Sequence, residues 1–244
     1  NAENNGITDK TTPNSAETAT LKWAEKYGTG WGAAPTTPLI LDGHVYVGMS
    51  NKVLKIDKNT GKKVAESDEM VAGVGFAMNP ITYADGKLFV QVGNGIIQAI
   101  DYETLKCVWS TEKIGGQTVS PISYAKIDGK GYIYTGTWRS PSSDGAFMCV
   151  STDDSNVNED GIKKAEWKFV PSGGTDTFQN VVYEDTVITY DEELKAAVEA
   201  GTAKDRGFYW SGAYACEKYV AVGSDDGESD YGSQPGESSL YTQS

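Results

Sequence analysis

Four oxygen-bearing side chains alternate within one short acidic stretch, Asp153-Asp154-Ser155-Asn156-Val157-Asn158-Glu159-Asp160-Gly161: they are Asp154, Asn156, Asn158 and Asp160. Alternating carboxylate and amide oxygens can be turned toward one hard cation such as calcium. The spacing departs from a calcium hand, because the glycine arrives too late for a loop begun at Asp154. Counted from Asn156, the twelfth residue is Trp167, where such a loop needs a bidentate Glu. A calcium site and a solvated acidic loop therefore compete as readings of this stretch. Asp225-Asp226-Gly227-Glu228-Ser229-Asp230 poses the same choice with weaker spacing.

A second chemistry is suggested by aromatic rings. Trp138-Arg139, Tyr209-Trp210 after Phe208, and Tyr214 are the rings least accounted for by the repeats below, and exposed rings beside a guanidinium stack on sugars, peptides or other flat ligands. Trp138, Arg139, Tyr209, Trp210 and Tyr214 are the candidate ligand-binding residues. The competing reading packs them onto the fold as covers for irregular loops. No catalytic residue is nominated. His44 is the single histidine, and neither a zinc set nor a Ser-His-Asp relay has its usual partners nearby. Cys107, Cys149 and Cys216 lack metal-ligand spacing, and an odd number cannot pair fully within the chain. Gly93-Asn94-Gly95 reads as a hairpin turn; no following helix makes it a phosphate cradle.

These residues must be positioned by a framework that is written three times. Thr37-Pro38-Leu39-Ile40-Leu41-Asp42-Gly43-His44-Val45-Tyr46-Val47, Asn79-Pro80-Ile81-Thr82-Tyr83-Ala84-Asp85-Gly86-Lys87-Leu88-Phe89 and Ser120-Pro121-Ile122-Ser123-Tyr124-Ala125-Lys126-Ile127-Asp128-Gly129-Lys130 place their prolines 42 and 41 residues apart. That is the period of a four-stranded sheet repeated around a ring. Asp-Gly between alternating apolar runs predicts a type I′ hairpin, since both central positions must tolerate positive φ. Third strands follow at 53–57 and 96–101, and fourth strands at 62–67 and 105–111. Trp23, Trp109 and Trp167 fall at equivalent outer-strand places, with Ala65 where the first full unit would carry one. Leu21-Lys22-Trp23-Ala24-Glu25 reads as a lone outer strand that completes the last blade of a ring.

The third unit loosens. Residues 137–145 form an extended loop, 152–161 a second polar excursion, and Ile162 to Val170 the strand that recovers the tryptophan. From 171 to 206 the period breaks into an irregular insert holding the one persuasive helix, Asp191 to Ala200. The pattern resumes at Gly207 to Tyr214 and Lys218 to Gly223, and a further strand begins at Leu240. The expectation is an all-β fold, a β-propeller of four-stranded antiparallel blades. About three and a half blades of a seven- or eight-bladed ring fall in this chain, the remainder supplied by the same precursor or a companion chain. Residues 1–20, rich in Asn, Thr, Ser, Ala and Glu, read as a flexible tether, and 21–244 as the propeller domain, incomplete at its C-terminus.

Composition narrows the partners. With 34 acidic against 21 basic residues the formal net charge is -13, and no run of Lys or Arg is dense, so nucleic acid and anionic membrane surfaces are not expected partners. No stretch approaches the roughly 18 apolar residues of a transmembrane helix.

The texts Ile56-Asp57-Lys58-Asn59-Thr60-Gly61-Lys62 and Ala99-Ile100-Asp101-Tyr102-Glu103-Thr104-Leu105-Lys106-Cys107-Val108-Trp109 resemble the PQQ-like (quinoprotein dehydrogenase-like) β-propeller repeat, in which a strand ending in Asp leads through a Thr-Gly turn into a strand carrying Trp. In quinoprotein enzymes the resemblance implies an axial quinone with calcium and an Asp base, often beside a vicinal cysteine disulfide; this chain has no adjacent cysteines. Other proteins with this repeat, bacterial cell-surface and outer-membrane lipoproteins among them, carry no quinone. The resemblance therefore implies a non-catalytic extracellular or cell-envelope binding or scaffold module, exported and tethered, with a protein, peptide or glycan partner at the cell surface. No cofactor is expected, PQQ is disfavoured, and calcium stays open at the acidic loop. The alternative is a quinone-dependent dehydrogenase, or another enzyme with carboxylates converging on the ring axis.

Overall fold

The computed structural model describes residues 15–75, 79–138, 145–169, 208, 212–216 and 219–222. The repeated text becomes a series of equivalent sheets. The first is β1 (Leu39–Leu41), β2 (His44–Met49), β3 (Lys52–Asp57) and β4 (Lys63–Glu66); the second is β5 (Thr82–Ala84), β6 (Lys87–Val92), β7 (Ile96–Asp101) and β8 (Cys107–Thr111). The third comprises β9 (Ser123–Ile127), β10 (Lys130–Gly136), β11 (Phe147–Ser151) and, beyond the short β12 (Ile162–Lys163), β13 (Trp167–Phe169). A pair of antiparallel strands, β14 (Ala213–Ala215) and β15 (Val220–Val222), begins a fourth. Each full sheet is an antiparallel meander. Its Asp-Gly turns have the expected geometry, with φ of 45° and 76° at Asp42-Gly43, 45° and 76° at Asp85-Gly86, and 48° and 81° at Asp128-Gly129.

Alternation along each strand sends side chains to opposite faces, and here both faces are apolar. Leu39, Tyr46 and Val53 of the first sheet pack on Leu88, Val90 and Ile100 of the second. The other face of the second sheet, with Phe89, Ile97 and Trp109, meets Ile133, Met148 and Val150 of the third. On the far side of the third, Tyr134, Phe147 and Cys149 meet Phe208, Ala213 and Val220. The opening strands of successive sheets are neighbours, β5 with β9 and β9 with β14. The sheets thus fan out from a shared inner side as propeller blades, in an all-β fold.

Two segments fold differently from their expected form. Residues 21–25 make no ladder; instead Trp23 and Tyr27 lie across the otherwise bare face of the first sheet, on Val45, Val47, Leu54 and Ile56. The Trp23 Nε1–H donates to the Lys58 carbonyl (2.8 Å) and Lys22 Nζ to Asn59 Oδ1 (2.9 Å). The apolar face needs a cover, and without strand partners the segment supplies side chains rather than backbone bonds. The expected single strand from Ile162 is divided: β12 runs parallel to β8 of the second sheet, and only β13 returns to pair with β11. The predicted helix at 191–200, the insert at 171–206 and the strand at Leu240 lie outside the described residues.

The Asp-Thr corners between third and fourth strands show how a departure from the repeat is accommodated. Asp57 Oδ1 accepts from the Asn59 (2.9 Å) and Thr60 (2.8 Å) amides, and Asp101 Oδ1 from the Thr104 amide (2.7 Å). The residue after the threonine has positive φ in both, 75° at Gly61 and 60° at Leu105. A Cβ on Gly61 would collide with the Trp23 indole, whereas Leu105 directs its side chain between the first two sheets and is buried. Gly61→Ala is expected to lower stability by about 1–2 kcal/mol from backbone strain alone. Leu105→Gly relieves comparable strain but forfeits a buried leucine worth about 2–5 kcal/mol, so it too destabilises. Urea unfolding measures both; unchanged midpoints would refute these roles.

Candidate functional site

In an antiparallel meander, the first and third hairpins share one end of the sheet, while the second hairpin and the connection to the next sheet share the other. Every full blade therefore has a turn end, carrying the Asp-Gly turn and, in the first two, the Asp-Thr corner, and a linker end. The sequence-nominated residues are divided between them. The acidic loop 152–161 follows β11 at the turn end; Trp138 follows β10 at the linker end.

Successive blades are latched at the turn end. The Tyr102 hydroxyl of the second sheet donates to Asp42 Oδ2 of the first (2.6 Å). Tyr124 of the third sheet repeats the arrangement on Asp85 of the second (3.1 Å), joined there by the Thr152 hydroxyl (2.6 Å). Burial and the neighbouring carboxylate raise both phenols, Tyr124 up to about 12. His44 stands beside this row with Nδ1 2.8 Å from the Asp42 carbonyl oxygen.

In the acidic loop the side-chain oxygens of Asp154 and Asn158 face N–H donors of the protein. Asp154 Oδ1 accepts from Trp109 Nε1–H (3.1 Å) and pairs with Lys87 (3.1 Å). Asn156 takes a left-handed conformation, φ 57°, and its carbonyl accepts from the Lys164 amide (3.0 Å). Asn158 Oδ1 accepts from the amides of Asp160 (3.0 Å) and Ile162 (2.9 Å). Among the described residues, no group of three His, Cys, Asp or Glu side chains is arranged to hold a metal ion.

The cation this loop does enclose is an ammonium. Lys163 is 0 % exposed, donates from Nζ to Asp153 Oδ1 (3.3 Å) and to the Ser155 carbonyl, and stands 5.3 Å from the centroid of the Trp109 ring. Burial by itself raises the Asp153 pKa, but hydrogen bonds from Ser155, Lys163 and Ser151 overcome it and hold the carboxyl well below the usual range. Nothing in Ile162-Lys163-Lys164-Ala165 marks one lysine as interior. The position follows from β12 crossing to the second sheet.

At the linker end, Trp138 is half-buried, and its backbone pairs in both directions with Gln117 (2.7 and 2.9 Å). The neighbouring Thr137 carbonyl accepts from the Phe208 amide (3.0 Å), and the Ser120 hydroxyl donates to the Phe208 carbonyl. Tyr214 lies on β14 with 73 % of its surface exposed. Arg139, Tyr209 and Trp210 lie outside the described residues. The linkers close onto the second hairpins through backbone bonds, Val74 N–H to Ser50 C=O (2.7 Å), Gly93 N–H to Gly73 C=O (2.9 Å) and Gly115 N–H to Asn94 C=O (3.1 Å).

The cysteines do not fit the vicinal pair of the quinone enzymes. Cys107 is in β8, Cys149 in β11, and Cys216 follows β14. Burial pushes the Cys149 thiol up to about 12 and, with Asp68, raises that of Cys107.

The profile of the PQQ-repeat family described as outer membrane protein assembly factor BamB matches residues 13–160. No curated protein matches the chain. Among solved structures, quinohemoprotein alcohol dehydrogenase from Comamonas testosteroni is 21% identical with a TM-score of 0.40, covering 57% of this chain and 22% of its own. Quinohemoprotein alcohol dehydrogenase ADHIIG from Pseudomonas putida HK5 is 17% identical with a TM-score of 0.48, covering 81% and 29%. BamB from Moraxella catarrhalis is 13% identical with a TM-score of 0.40, covering 76% and 46%. The chain thus spans less than half the length of each of these three.

Lys163→Met is expected to destabilise the protein by about 1–2 kcal/mol at pH 7, through loss of charged hydrogen bonds and the cation–ring contact. Because the Asp153 pKa is depressed, its contribution is present above the ordinary carboxylate pKa of about 4 and is lost as pH falls below it. In urea unfolding the gap between wild type and variant should therefore stay constant from pH 7 to about pH 4 and narrow progressively as pH falls further toward the depressed folded-state value. A gap that does not narrow in that acid range would refute the pairing.

Proposed function

The chain belongs to the PQQ-repeat family described as outer membrane protein assembly factor BamB, and from that premise we propose that it is a non-catalytic binding and scaffold module of the bacterial cell envelope. The observation that carries the reading is the family match across residues 13–160, which spans the first two blades and most of the third. Partners are proteins or peptides of the envelope, with surface glycans as a further class. The module is exported and held at the envelope by a tether rather than by its fold; among the described residues no helix is long and apolar enough to cross a membrane.

Of the two ends, the linker end is the better recognition surface. The turn-end carboxylates of Asp42, Asp57, Asp85, Asp101 and Asp153 already accept hydrogen bonds from their own chain. The linker end holds Trp138 and connections whose lengths differ from blade to blade, the usual site of grafted function on a repeated framework. Trp138, Arg139, Tyr209, Trp210 and Tyr214 are its proposed contact residues.

The test is a photo-crosslinking amino acid placed at Trp138 or Val71 of the linker end, and at Lys58 or Asp128 of the turn end, with envelope fractions offered to each. Discrete crosslinks from the linker positions, competed by unlabelled protein, are expected. Equal labelling from both ends would overturn the placement, and quinone-dependent dye reduction by the purified chain with calcium would overturn the non-catalytic reading.

A further inference from the structure

The charge of this chain is unevenly placed. Within a formal net charge of -13, residues 21–28 and 52–66 together hold seven lysines against three acids, Glu25, Asp57 and Glu66. Three of the lysines are engaged. Lys52 (2.7 Å) and Lys63 (2.6 Å) share Glu66, and Lys55 lies over the rings of Tyr46 and Tyr102. Lys22, Lys26, Lys58 and Lys62 are exposed, and among the described residues none of the four pairs with a carboxylate.

The covering segment brings the two stretches together. Lys22 Nζ donates to Asn59 Oδ1 (2.9 Å), Trp23 Nε1–H to the Lys58 carbonyl (2.8 Å) and the Tyr27 hydroxyl to the Gly61 carbonyl. Lysines distant in sequence thus share one outer corner at the turn end of the first blade. Apolar side chains stand exposed among them, Leu21 at 83 % next to Lys22 and Val64 at 53 % next to Lys63. The charges are strung along two segments instead of converging on a point. Spread ammonium groups with an exposed leucine between them match a flat anionic layer over an apolar one, the headgroup and acyl boundary of a bilayer, better than a single phosphate. Residues 1–20, which read as the tether, enter the domain at this same corner.

The charge of the whole molecule opposes such a contact, but the opposition is local. At physiological ionic strength the screening length is about 8 Å, and stacked sheets lie about 10 Å apart. The acids of the second and third blades therefore act weakly on a surface that touches this corner. Composition disfavours anionic membranes for the molecule taken as a whole, not for this corner of it.

We propose that this corner rests on an anionic lipid surface, with Lys22, Lys26, Lys58 and Lys62 among the headgroup phosphates and Leu21 at the acyl boundary. The tether keeps the module at the membrane, and the lysines set how it stands there. With the turn end of the first blade toward lipid, the linker end is left open to the envelope space where its partners are. The inference rests on the envelope location in the reading of the chain as a binding module, and adds to it a lipid class and an orientation.

The probe is co-sedimentation of the full chain, without a lipid anchor, with vesicles of phosphatidylcholine alone or rich in phosphatidylglycerol, at millimolar lipid. Partition is expected only with phosphatidylglycerol, and is lost between about 0.15 M and about 0.5 M salt. Lys58→Gln with Lys62→Gln should weaken it about twentyfold, near fivefold for each lysine. Lys113→Gln with Lys164→Gln makes the same change of net charge outside the corner and should leave it within about twofold. Leu21→Ser should weaken it about fivefold. All five side chains are exposed, so folding is not at stake. Absent or equal partition to the two vesicle types, equal weakening by the two lysine pairs, or indifference to Leu21→Ser would overturn the proposal. Release by inorganic phosphate at constant ionic strength would mark a discrete phosphate site and overturn it as well. Linker-end crosslinks without vesicle binding sink this inference alone; vesicle binding without linker-end crosslinks sinks only the linker-end placement.

Discussion

Each of the three full sheets has two apolar faces, and this governs the rest of the architecture. A sheet with one wet face can end a stack; a blade cannot. Tyr46 and Val53 point one way while Val45, Val47, Leu54 and Ile56 point the other, and both sets are buried. Each blade therefore requires a neighbour on both sides. The first finds one in Trp23 and Tyr27, which act as a thin substitute for a sheet. The third finds one in Phe208 and the strands around Ala213 and Val220. Burial of this kind is non-directional and scales with area, so it is indifferent to whether the cover arrives as a strand or as two rings.

Direction is supplied by polar groups at the two ends. At the turn end, one carboxylate serves first as part of a tight turn and then as acceptor for the next blade's tyrosine. Asp42 and Asp85 thereby fix how far each blade can rotate against its neighbour. At the linker end the bonds are mainly backbone to backbone. That end can tolerate loops of different length and composition without loss of blade geometry, which is the physical basis for assigning recognition to it.

Local features of the sequence were legible. The three Asp-Gly dipeptides adopt the turn they predict, the third and fourth strands of the first two blades begin and end within a residue or two of their expected bounds, and Trp109 and Trp167 occupy the fourth strands. What escaped the reading depends on partners distant in sequence. Whether Leu21 to Glu25 forms a strand is decided by a ladder partner, not by its own alternation. Ile162-Lys163 joins the second sheet because Ser110 and Glu112 present amides there, 52 and 51 residues earlier. The alternating oxygens at 154, 156, 158 and 160 have the right types for a cation, but that of Asp154 is engaged by Trp109 and Lys87 and that of Asn158 by the amides of its own turn. Trp138 and Tyr214 are described without coming together, and Arg139, Tyr209 and Trp210 lie beyond what is described.

The crossing of β12 changes how the array comes apart. In a simple row of repeats each unit touches only its neighbours, and unfolding can proceed one unit at a time. Here a segment that belongs to the third blade by sequence is hydrogen-bonded into the second and carries an interior charge with it. Those two blades are consequently one cooperative unit: neither can open without extracting Lys163 from the Trp109 face. The first blade, joined to them by packing, one tyrosine latch and a few hydrogen bonds from its outgoing linker but by no crossing strand, is the natural site of independent breathing.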